Sequence, residues 1–83
     1  MLPEHRQIIA KFISYDIDTI NMYWGYKGDY ILKLTVKDPN LATAIEDYCK
    51  TIDIQTNTKF NESRNKMFTV YCIAIDEDVI PLK

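Results

Sequence analysis

Glycine, proline, cysteine and histidine are all scarce in this 83-residue chain, which holds two Gly, three Pro, two Cys and one His. Each scarcity excludes something. Gly25 and Gly28 are too few for a glycine-rich phosphate loop. Two cysteines make no disulfide framework. Cys49 and Cys72 both fall in apolar patterns and read as core thiols of a reducing compartment. The lone His5 has no cysteine or carboxylate at ligand spacing, so neither a zinc centre nor a histidine-based triad has its partners; it is expected on the wet surface. Ser14 and Ser63 lack a nucleophile elbow.

Long apolar runs are also missing. None approaches the ~20 residues that a membrane span needs, and the opening Met-Leu-Pro-Glu-His-Arg has no basic leader ahead of an apolar core. A cytoplasmic, non-enzymatic protein is expected, with no cofactor, metal site, membrane contact or small-molecule substrate. Ala (four) and Arg (two) are sparse beside Ile, Lys, Asp, Tyr, Thr and Asn, a bias toward AT-rich codons. It fits a bacterial virus, a low-GC bacterium or an archaeal virus, and in a viral case the location would be the host cytoplasm.

What is present is globular: 47% hydrophobic and 27% charged residues exclude a disordered chain. One small domain over residues 1–83 is expected, burying ~60% of the surface its unfolded chain exposes. A net charge of −2 argues against a nucleic-acid binder held by overall charge.

Pro3 to about Ser14 reads as a helix with an apolar stripe of Ile8, Ile9, Phe12 and Ile13. Thr19 to Tyr26 reads as a strand, Tyr26-Lys27-Gly28-Asp29 as a turn, and Tyr30 to Lys37 as a second strand with Tyr30, Leu32, Leu34 and Val36 inward. Asp38 caps a second helix that starts at Pro39 and runs to about Lys50, burying Leu41, Ala44, Ile45 and Tyr48. Ile52 to Phe60 and Met67 to Ile75 complete the set as third and fourth strands. The order α-β-β-α-β-β predicts an α+β domain: a four-stranded, mainly antiparallel sheet with two helices packed on one face. The fourth strand belongs inside the sheet, and the second or third, with their polar outer faces, at an edge.

The fourth strand breaks the alternation expected of a half-wet strand. Phe68, Val70, Cys72 and Ala74 point one way and Met67, Tyr71, Ile73 and Ile75 the other, so the second sheet face is dry at least locally. Tyr15, Ile17, Tyr23, Tyr26, Ile31, Val79, Ile80 and Leu82 add to that apolar surplus. Tyrosine offers contact area with a polar tip, so the predicted function is protein binding. The partner is a protein or a second copy, met through Tyr23, Tyr26, Tyr71 and Ile73 with Lys27 and Lys33 at the rim. Its concrete form is a virus-encoded inhibitor that occludes a host defence or regulatory protein. The alternative is an RNA- or single-strand-binding module using Tyr23, Tyr26, Lys33, Lys37, Arg64 and Lys66. Asp16, Asp18, Asp76, Glu77 and Asp78 form a cation site only if the first connection and the end of the fourth strand meet, and their spacing matches no calcium loop.

Overall fold

The computed structural model describes residues 2–24 and 28–75, the Ile75 side chain excepted. The elements follow the predicted order: α1 (Pro3–Phe12), β1 (Ile17–Trp24), β2 (Asp29–Val36), α2 (Pro39–Thr51), β3 (Gln55–Asn61) and β4 (Met67–Ile75). The four strands form one antiparallel sheet in the order β1-β2-β4-β3.

β4 is interior, as its two-faced apolar pattern requires, and β3 is an edge. The other edge is β1, and β2 lies inside. A polar outer face therefore did not mark β2 as an edge. Its polar residues, Lys33 and Thr35, lie on the sheet face away from the helices, between β1 and β4.

Both helices pack on the face formed by Leu32, Leu34 and Val36 of β2 and Val70, Cys72 and Ala74 of β4, all of them buried. Ile8 and Phe12 of α1 and Leu41, Ala42, Ile45 and Cys49 of α2 close the core above them. A fully buried Ile or Leu side chain contributes roughly 1.5–3 kcal/mol, so this layer is the main source of stability. α2 lies over β4, β3 and β2, leaving β1 at the margin of the helical layer.

α2 begins as its sequence demands. The Asp38 carboxylate accepts the Asn40 N–H at 2.8 Å, with Pro39 in the first turn. Its end differs from expectation, because the helix continues to Thr51 and β3 starts only at Gln55. Between them the Ile54 N–H donates to the Cys49 carbonyl at 2.8 Å and the Asp53 N–H to that of Lys50 at 3.3 Å. This pair of bonds requires left-handed backbone at Asp53, whose φ is 62°. Glycine takes that conformation without a Cβ penalty. Asp53→Gly is thus expected to stabilise the chain by about 1 kcal/mol, raising the calorimetric midpoint by about 4–8 °C.

A bulge between Ile17 and Thr19 turns Ile17 toward the core, where it packs beside Val36 rather than on the second face. Tyr15 also leaves that face: it sits exposed in the α1–β1 connection against the Phe12 ring, centroids 5.5 Å apart.

Candidate functional site

Strand register arranges the sheet face opposite the helices into rows. Tyr23, Ile31, Ile73 and Gln55 form one row across β1, β2, β4 and β3. The next holds Asn21, Lys33, Tyr71 and Asn57, and the third Thr19, Thr35, Thr69 and Lys59. The face is graded, apolar at one end and hydroxyl-rich and basic at the other.

The apolar end runs into the free edge of β1. Tyr23 is 48% exposed, and Trp24, which pairs with Tyr30 on the helix side of the sheet, is 71% exposed. Ile20 and Met22 share the helix-side face with Trp24 and are only partly covered, because β1 lies beyond the main helix contacts. Met22, Tyr23 and Trp24 line a shallow hollow of about 240 Å³. Among the described residues, the end of β1 is therefore apolar on both faces and unpaired along its outer edge. Nothing in Thr19–Trp24 blocks strand addition: the segment has no Lys, no Pro and no charge.

At the other end, Lys33, Lys59, Arg64, Thr69 and Tyr71 line a hollow of about 610 Å³ below the β3–β4 turn. The Lys59 ammonium lies 6.0 Å from the centre of the Tyr71 ring, within cation–π reach. The turn is held in shape by its own side chains. Asn61 Oδ1 accepts the Arg64 N–H at 3.1 Å, Asn65 Oδ1 accepts the Met67 N–H at 3.0 Å, and the Asn61 carbonyl accepts the Lys66 N–H at 2.8 Å.

The predicted contact residues thus divide. Tyr23 lies on the β1 rim, Ile73 in the apolar row, and Tyr71 and Lys33 at the basic hollow. Tyr26 and Lys27 lie outside the described residues, as do Asp76 to Asp78 and the apolar tail of Val79, Ile80 and Leu82. Of the predicted nucleic-acid set, Lys33 and Arg64 meet in the basic hollow, whereas Lys37, Lys66 and Tyr23 do not line it. Lys59 and Tyr71 complete the hollow, and only the pairing register reveals that they flank the same spot. Trp24 was missed because its sequence position reads as an inward one. Its exposure comes from the narrowness of the helical layer.

His5 is a correction. It is buried, and its Nε2 donates to the Cys72 carbonyl at 3.1 Å, tying α1 to β4. Nδ1 has no partner among the described residues. Burial holds the imidazole below its ordinary value of 6.5, against the opposing pull of the Cys72 carbonyl and Glu4. The folded chain therefore keeps His5 neutral, while the unfolded chain takes up a proton near 6.5. Stability is full above that pH and is expected to fall below it, by up to ~1.4 kcal/mol per pH unit from this group. Denaturant melts from pH 8 to pH 5 should show the loss, and His5→Gln, which keeps a donor without titrating, should flatten it.

The two thiols face each other in the core, sulfur to sulfur 3.7 Å apart. The neighbouring Cys49 and burial together push the Cys72 thiol up, away from the reactive thiolate. Among the described residues no group of three or more His, Cys, Asp or Glu could hold a metal ion, and no helix is long and apolar enough to cross a membrane. No family model, curated protein or solved structure matches the chain.

Proposed function

We propose that the chain is a non-enzymatic protein-binding module that docks through the β1 rim, and that the occupant of the rim is a second copy of itself. The observation that carries this reading is Trp24, the largest side chain in the protein, 71% exposed beside a half-exposed Tyr23 on an uncharged strand end that is unpaired among the described residues. Exposed aromatic patches on open edges are where partners dock, and Trp and Tyr are the side chains that dominate interface energetics.

A second copy fits for a geometric reason. Two β1 strands pairing antiparallel about a two-fold axis normal to the sheet keep both helical layers on the same side. They also place Ile20, Met22 and Trp24 of one copy against the same residues of the other, in the trough that the helices leave open over β1. Tyr23 and Asn21 meet their counterparts on the opposite face. The pairing satisfies the outer backbone groups of both strands and gives one eight-stranded sheet. Action then comes from occlusion and assembly, with no bond made or broken.

Sedimentation equilibrium tests the proposal. A mass near twice the 9.8 kDa of the chain is expected at high micromolar concentration. A 9.8 kDa species at every concentration would remove the self-pairing reading.

A further inference from the structure

We propose that the basic hollow on the opposite end of the sheet binds single-stranded nucleic acid, with Lys33, Lys59 and Arg64 taking the phosphates and Tyr71 receiving a base. Three cations from three separate elements (β2, β3 and the β3–β4 turn) converge on one hollow of about 610 Å³ whose lining includes a single carboxylate, Glu62. In a protein of net charge −2 this is a local reversal of sign, the kind of feature that steers an anionic chain to one place.

The shape suits a strand rather than a lone ion. The hollow is open and rests on a sheet face. Lys33 and Lys59 flank β4, two strand spacings or roughly 9–10 Å apart across the sheet before the offset along it is added. That separation spreads the positive charge along a backbone instead of focusing it on one phosphate. The Thr69 hydroxyl, between Lys59 and Thr35, adds a hydrogen-bonding group to the floor. Tyr71 supplies the stacking surface: the Lys59 ammonium now above its ring moves to a phosphate when a base arrives. The backbone that carries Arg64 is already held by Asn61 and Asn65, so binding has only its side chain to order.

The test is fluorescence anisotropy of a labelled oligothymidylate and an oligouridylate, titrated with the full chain at 50 and 200 mM salt. Three phosphate contacts give a salt slope of about −2, so affinity should drop roughly 20-fold between the two salt concentrations. Lys33→Gln, Lys59→Gln and Arg64→Gln should each flatten the slope by about 0.7, and the triple variant should flatten it almost completely. Lys59 and Arg64 are exposed, so their single variants keep the fold, verified by an unchanged thermal midpoint. Tyr71→Leu should weaken binding while leaving the salt slope intact. No anisotropy change at 50 mM salt overturns the proposal, as does binding indifferent to the triple substitution. Equal affinity for a DNA duplex would overturn the single-strand assignment.

Discussion

Replacing Ile45 by alanine is expected to lower the thermal midpoint by about 12–24 °C. Ile45 is fully buried on the sheet-facing side of α2, within the cluster that joins the helices to β2 and β4. Truncation removes its transfer free energy and leaves a cavity that neighbours fill only partly, at a cost of roughly 2–5 kcal/mol. Around 3 kcal/mol corresponds to that shift in a domain of this size. The loss is a large share of the ~4–12 kcal/mol that a chain of this length holds in total. Ile13→Ala serves as the comparison: its side chain is 61% exposed, so the cost should stay below ~0.5 kcal/mol. Calorimetry of the two variants separates core from surface directly.

The second large effect concerns assembly. Trp24→Ala is expected to convert the self-paired chain to monomers while leaving its midpoint, measured under dilute monomeric conditions, nearly unchanged. A central aromatic anchor contributes about 2 kcal/mol or more to an interface. Two-fold symmetry places two copies of Trp24 in each interface, so a single substitution removes about 4 kcal/mol, a weakening of the dissociation constant by roughly 700-fold. The dissociation constant from sedimentation, set beside calorimetry of the same sample, gives both halves of the result. A large drop in midpoint would instead assign Trp24 to the core.

The layered fold was legible in the sequence because its signals are local. Asp38-Pro39 announces the start of α2, Gly28 (φ 89°) the turn before β2, and the alternation from Tyr30 to Val36 the face that β2 buries. The apolar run of β4 reported its central position correctly. Features that depend on how far one element reaches over another were not legible. His5 looks like a surface residue in the first turn of a helix until α1 is laid on β4 and its ring finds the Cys72 carbonyl. Trp24 has the parity of a core residue, and no pattern within β1 tells that the helices stop short of it. The basic hollow was divided in the sequence among the second strand, the third strand and a turn, and it becomes one feature only when the register sets Lys33 opposite Tyr71 and Lys59 opposite Thr69. Long-range pairing carries that information, and periodicity does not.

Because Trp24 is the only tryptophan in the chain, its emission reports on the β1 rim and nothing else. Diluting the protein from millimolar to sub-micromolar concentration should carry that emission from the blue-shifted position of a buried indole to the red-shifted position of a wet one, along a single dissociation curve. Emission fixed at the wet position throughout, with no dependence on concentration, would contradict the pairing of β1 with its copy.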